Sequence, residues 1–137
     1  MIMFDALRNF GLFDNVDSVD TRGRGLINRT YLVHAYNNRY VLQLIDTHVF
    51  KNVDKAIKNI ELVTEHLKHK NDYDAFIIYS KDNRQHILVG DYYFRCYKLR
   101  DNEEIYQYYE NDKIHYEIAR ILGRFHKLTA DFDVKKL

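Results

Sequence analysis

Apolar and polar positions along the chain follow two periods, and the switches between them outline its elements. At the start, Ile2 or Met3, Phe4, Leu7, Phe10 and Phe13 recur at helical spacing, with Gly11 near the end as a terminator. Val16 to Thr21 then reads as the strand entering the glycine-bearing stretch that follows. Thr30 to Tyr36 and Arg39 to Ile45 are rich in β-branched and aromatic residues, and Asn37-Asn38 between them tolerates positive φ, which predicts a hairpin closed by a tight turn. From Val53 to about Lys70 the period lengthens: Val53, Ala56, Ile57, Ile60, Val63, Thr64 and Leu67 share one face of a helix, Asn52 is placed to cap it, and Lys68, His69 and Lys70 suit its C-terminus.

Ala75 to Ser80 reads as a buried strand, the turn Lys81-Asp82-Asn83-Arg84 leads to His86 to Val89, and after Gly90-Asp91 a further strand runs from Tyr92 to Leu99. Arg100 to Tyr109 is charged and tyrosine-rich, the best candidate for a linker, and Asn111 then caps a second long helix with the stripe Ile114, Ile118, Ile121, Leu122, Phe125 and Leu128. The fold class expected is α+β: an antiparallel sheet of about five strands with one long helix inserted, followed by a linker and a further helix. Repeats and low-complexity tracts are absent from the sequence.

Composition narrows the partners. The 137 residues suffice for one ordinary domain, and a 46% hydrophobic content can bury a core. Lys and Arg total 21 against 20 Asp and Glu, so no global field favours nucleic acid or an anionic membrane, and a binder using Arg22, Arg24, Arg29 and Arg39 on nucleic acid is disfavoured. The single cysteine, Cys96, has no internal disulfide partner and reads as a buried small hydrophobe. The apolar runs fall far short of the ~20 residues that span a bilayer, and no positively charged, apolar leader opens the chain, so a cytoplasmic location is expected.

The chemistry enters with Gly23 to Ile45, a glycine-bearing loop running into the hairpin. Gly25-Leu26-Ile27-Asn28-Arg29-Thr30-Tyr31, then Tyr40-Val41-Leu42-Gln43, Val49-Phe50-Lys51, Asn59-Ile60, Val63-Thr64 and His66-Leu67 resemble the N-terminal lobe of the aminoglycoside phosphotransferase and choline kinase superfamily. Within it they are most similar to the N-acetylhexosamine 1-kinase-like branch, and the likeness continues through Phe94-Arg95-Cys96-Tyr97, Leu122-Gly123-Arg124-Phe125-His126 and Ala130-Asp131-Phe132. The resemblance implies a protein-kinase-like N-lobe over residues 1–96, a hinge over 97–110 and the first helix of a second lobe over 111–137. It also implies ATP and Mg²⁺ as cofactors of the complete enzyme, and a small sugar-like substrate.

In such folds a glycine-rich loop covers the phosphates, a lysine on the third strand contacts them, and a glutamate on the inserted helix holds that lysine. The resemblance then places nucleotide-binding residues at Gly23, Gly25, Ile27, Asn28, Thr30, Gln43, Asn59, Tyr97 and Leu99. Asn28 stands where a third glycine would, and Asn28 and Thr30 suit either a phosphate contact or closure of the turn. Gln43 stands where the superfamily commonly carries Lys or Arg, and Asn59 where the glutamate would pair with it. Amides hydrogen-bond phosphate oxygens but bring no positive charge, unless Arg24, Arg29 or Arg39 compensates. Tyr97 to Arg100 would be the hinge whose backbone pairs with adenine, while Tyr106, Tyr108, Tyr109 and Tyr116 suit stacking on a ligand or covering the junction. His66 and His69 have ligand-compatible spacing, but no carboxylate or cysteine completes a metal set, and both read as surface histidines.

The carboxylate that positions the acceptor hydroxyl, and the residues that hold Mg²⁺, are expected beyond Leu137, since no histidine here is followed two residues later by Asp. The expectation is therefore a nucleotide-binding lobe of a sugar or amino-sugar kinase that does not turn over alone, with no catalytic residue and no metal ligand of its own. The alternative is a non-catalytic interaction module, and a helix face left uncovered would favour self-association.

Overall fold

The computed structural model describes residues 2–21, 27–70, 77–78, 80–101 and 111–137. In chain order the elements are α1 (Ile2–Asn9), β1 (Val16–Thr21), β2 (Arg29–Ala35), β3 (Asn38–Ile45), α2 (Val53–Lys68), β4 (Ile77–Ile78), β5 (His86–Val89), β6 (Tyr92–Lys98) and α3 (Asp112–Thr129). The class is α+β, as expected. All strand pairs are antiparallel, in the order β1-β2-β3-β6-β4, and β5 pairs with β6. β4 lies against Tyr97 and Cys96 and β5 against Tyr92 to Arg95, so the two share one edge of β6 and the sheet is five strands wide. Residues 71–76, 79 and 102–110, which hold half of the expected fourth strand and most of the linker, lie outside the described residues. So do Gly23 and Gly25.

The chain forms two compact units. One comprises Met1–Asp54 with Phe76–Ile105 and contains the sheet, and the other comprises Lys55–Ala75 with Tyr106–Leu137 and contains most of α2 and all of α3. Among the described residues no helix is long and apolar enough to cross a membrane.

In the sheet unit, α1 covers one face. Ala6, Leu7, Phe10 and Leu12 pack with Val33, Ala35, Tyr40, Leu42, Ile87, Phe94 and Cys96 into one core cluster, which is where period-2 and period-3.6 stripes must meet to leave water. The helix stops where Gly11 predicts. Gly11 has φ 71°, its N–H reaches the Arg8 carbonyl at 3.1 Å, and the Leu12 N–H reaches the Leu7 carbonyl at 2.9 Å. These are the two bonds of a Schellman stop, with Leu7 and Leu12 both in the core.

The hairpin turn falls one residue earlier than Asn37-Asn38. Ala35 pairs with Asn38, and the central residues are Tyr36 and Asn37 at φ 51° and 55°, the positive pair of a type I′ turn. Register explains the shift: Leu32 faces Val41, Val33 faces Tyr40 and Thr30 faces Gln43. A turn at Asn37-Asn38 would instead set Leu32 against Gln43, so like-with-like pairing overrides the better turn residue. The side chain of Asn38 supports the turn by donating to the Tyr36 carbonyl at 2.7 Å.

In the helical unit, Asn111 caps α3 as expected, its side-chain oxygen accepting from the Lys113 N–H at 2.9 Å. Ile118, Ile121, Leu122 and Phe125 of the predicted stripe are exposed. His66 departs from its expected surface position. It is half-buried, its Nε2–H shared between the Leu128 carbonyl and Asp131 Oδ1, both at 3.1 Å, and its ring meets Phe132 edge-on at 5.2 Å. Lys70 donates to the same carboxylate. His69 is exposed and pairs with Glu65 at 3.3 Å.

The turn strain is measurable. From conformation alone, replacing Tyr36 with Asn, which tolerates positive φ, should raise stability by up to about 1 kcal/mol, whereas Gly11→Ala, with no atom near enough to clash, should lower it by about the same. Thermal unfolding of the two variants beside the parent chain checks both signs.

Candidate functional site

The sheet face opposite α1 carries the candidate residues. β3 is paired on both edges, so each of its residues on this face has a neighbour on β2 and another on β6. Two successive rungs differ in character. Leu32, Val41 and Tyr97 form an apolar rung in which Leu32 and Val41 are buried with Leu99 and the half-buried Tyr97 packs against them. The next, Thr30, Gln43 and Arg95, is polar throughout and half-buried, and β5 extends it with His86 beside Arg95.

Gln43 is the hub of the polar rung. Its Nε2 donates to Thr30 Oγ1 at 3.2 Å, and its Oε1 accepts two bonds from the Arg95 guanidinium, from Nε at 2.9 Å and Nη2 at 2.8 Å. Such a fork normally grips a carboxylate, which would cancel the charge. Here the acceptor is neutral, and among the described residues no carboxylate pairs with Arg95. His86 is separately occupied: its Nε2 meets Asp54 Oδ1 at 2.8 Å, and its ring lies 5.9 Å from Tyr93. A positive charge therefore sits within the rung, held in place by a neutral acceptor and not neutralised by any carboxylate among the described residues.

Of the three arginines considered as compensating for Gln43, none occupies this place among the described residues. Arg24 lies outside them. Arg29 precedes Thr30 on β2 and so belongs to the other face. Arg39 is on the right face, but four residues from Gln43, about 13 Å along the strand. Its guanidinium donates to the carbonyls of Arg100 and Asp101 at 3.0 and 2.9 Å, so it braces the segment that leaves β6.

The other sequence-predicted positions fall as follows. Ile27 is exposed just before β2. Asn28 Oδ1 accepts from the Asp46 N–H at 3.0 Å, tying the start of β2 to the end of β3, so its side-chain oxygen serves local closure. Thr30 and Gln43 are brought together, and Tyr97 and Leu99 border the apolar rung. The Leu99 N–H is spent on the Arg39 carbonyl at 2.8 Å, and Tyr97 pairs with Val41 on one side and Ile77 on the other. Asn59 lies on α2, in the helical unit. Cys96 points into the α1 core, where burial pushes its thiol up to about 12, which suits packing and not nucleophilic attack.

Sequence reasoning missed Arg95 and the His86–Asp54 pair. The alternation on β6 places Arg95 opposite Phe94 and Cys96, but that it stands beside Gln43 follows only from the pairing of β3 with β6, across a contact 52 residues apart in the chain.

No family model matches the sequence. Among solved structures, spectinomycin phosphotransferase APH(9)-Ia, in complex with ADP and spectinomycin, is similar to the chain with a TM-score of 0.49 and 10% identity, covering 87% of this chain and 34% of that one. The chain spans about a third of the length of that protein.

The helical unit supplies a pH test. The hydrogen bond from Lys70 holds the Asp131 carboxyl below its ordinary value, with the Lys70 and His66 charges acting in the same direction. A carboxyl depressed on folding stabilises above its unfolded value, near 3.9, and that contribution is lost as pH falls through the folded one. Asp131→Asn should therefore be less stable than the parent at pH 6, and the gap should close toward pH 2. Urea unfolding across that range reads it, with a small effect expected because the carboxylate is exposed.

Proposed function

We propose that the chain is the nucleotide-side lobe of an ATP-dependent phosphotransferase acting on a hydroxyl of a small sugar or amino sugar, of the N-acetylhexosamine 1-kinase-like type. The observation that carries this reading is the order of the two rungs. The apolar rung lies toward the Tyr97 to Arg100 segment, where a base is expected, and the polar rung lies toward the end of the sheet where the glycine-bearing stretch 22–26 joins Thr21 to Ile27. Apolar then polar, along one face, is the order of a base followed by its phosphates.

In this reading Gly23 and Gly25 let the backbone approach the phosphates, Thr30 and Gln43 set the polar rung, and Tyr97, the partly exposed member of the apolar rung, meets the base. The hinge falls within 97–110, with Asn59 on the inserted helix and the second lobe beginning at 111. The hydroxyl-positioning carboxylate and the ligands of the Mg²⁺ that accompanies ATP are assigned to segments beyond Leu137, and no transfer step is assigned to these residues. A cytoplasmic location accords with the composition.

The reading is tested by amide NMR of the 137-residue chain titrated to millimolar adenosine, ADP and ATP. The expected result is saturable shifts at Thr30, Gln43, Arg95 and Tyr97, larger for ATP than for adenosine. Shifts that are absent, or scattered over lysines of α2 and α3, would overturn it.

One observation favours a second reading, that of an interaction module. Ile118, Ile121, Leu122 and Phe125 expose contiguous apolar surface on α3, and burying each such side chain is worth about 1.5–3 kcal/mol. Sedimentation should show concentration-dependent self-association that Leu122→Glu and Phe125→Glu abolish. A chain that stays monomeric at millimolar concentration would remove this reading.

A further inference from the structure

We infer that Arg95, on β6, is the phosphate-contacting cation of this lobe, taking over from the third-strand position that Gln43 fills with a neutral amide. The inference rests on the nucleotide-lobe reading and assigns the charge that reading needs. Three features of the rung support it. Arg95 is a half-buried residue whose guanidinium is held against the sheet by the Gln43 amide, so an anion reaching this rung meets a fixed cation. Its Nε and Nη2 are fixed by Gln43 Oε1, which leaves Nη1 as the remaining edge of the fork, already oriented and with little side-chain freedom left to lose on binding. Its acceptor is an amide anchored in turn by Thr30, which positions the charge without itself cancelling it.

The neighbours sharpen the assignment. His86, the next residue across, is engaged by Asp54, whose carboxylate is thereby taken up with the imidazole instead of with Arg95. Arg39, the other arginine of this face, is held at the far end by two backbone carbonyls. Gln43 is best understood as a positioning residue. An acidic side chain at 43 would pair with Arg95 and neutralise it, and a cationic one would repel it, so an amide is the residue type that keeps an arginine at 95 both oriented and available.

The experiment compares the affinities of adenosine, ADP, ATP and inorganic tripolyphosphate for the parent chain, Arg95→Gln and Gln43→Glu, by the same NMR titration. For the parent, affinity should rise from adenosine to ATP. In both variants the preference of ATP over adenosine should fall about tenfold or more, while adenosine binding is retained. Gln43→Glu keeps Arg95 in place and should unfold at or above the parent temperature, so its loss of preference cannot be ascribed to misfolding even if Arg95→Gln proves unstable. A parent preference that survives in Gln43→Glu overturns the role of Arg95 and leaves the nucleotide reading standing. A parent chain that binds none of these ligands overturns both. Tripolyphosphate binding as tight as that of ATP, with no binding of adenosine, overturns the assignment to a nucleotide.

Discussion

The two-sided pairing of β3 is the constraint on which the sheet unit depends. A strand bonded along both edges fixes its neighbours residue by residue, and because side chains alternate, it also fixes which face each neighbour shares. One face of β3 carries Tyr40, Leu42 and Leu44 into the core under α1, with Leu42 fully buried. The other carries Arg39, Val41 and Gln43, and these recruit the Arg100–Asp101 carbonyls, the Leu32–Tyr97 pair and the Thr30–Arg95 pair respectively. A slip of one residue would put Gln43 in the core and Leu42 in the polar rung, at the cost of desolvating an amide without partners. The register that makes the core is therefore also the register that makes the candidate site.

The same constraint explains how an arginine with no carboxylate partner among the described residues is held in the rung. A half-buried charge is costly when its donors are left unbonded, and Gln43 satisfies two of them without supplying a counter-charge. The rung gains orientation at the expense of some stability. Local departures from the most stable choice of residue are characteristic of sites that bind. The Tyr36-Asn37 turn is a similar compromise: a tyrosine at positive φ is accepted because the cross-strand pairs it enforces outweigh the local strain.

The helical unit rests on a different device. His66 and Lys70 near the end of α2 converge on Asp131, just past α3, and His66 also closes the Leu128 carbonyl at the helix terminus. An exposed ion pair alone contributes little, but the ring of Phe132 against His66 and the bond from His66 to the Leu128 carbonyl give this contact both apolar and hydrogen-bonding components. The exposed stripe on α3 lies on this same unit, which therefore has a tied end and an uncovered apolar face.

What was legible in the sequence was governed by local physics. The periods that distinguish helix from strand, the Gly11 stop and the Asn111 cap depend on residues within a few positions of one another, and each appears where the pattern places it. The glycine stretch and the 102–110 linker fall outside the described residues, so those parts of the reading stand as proposals. The turn was misplaced by one residue because asparagine preference is local, whereas register is summed over a whole strand pair. Arg95 beside Gln43, and His66 on Leu128 and Asp131, were decided by tertiary structure. They join residues 52 and more positions apart, and no period or motif within one strand or helix states which other element will lie beside it.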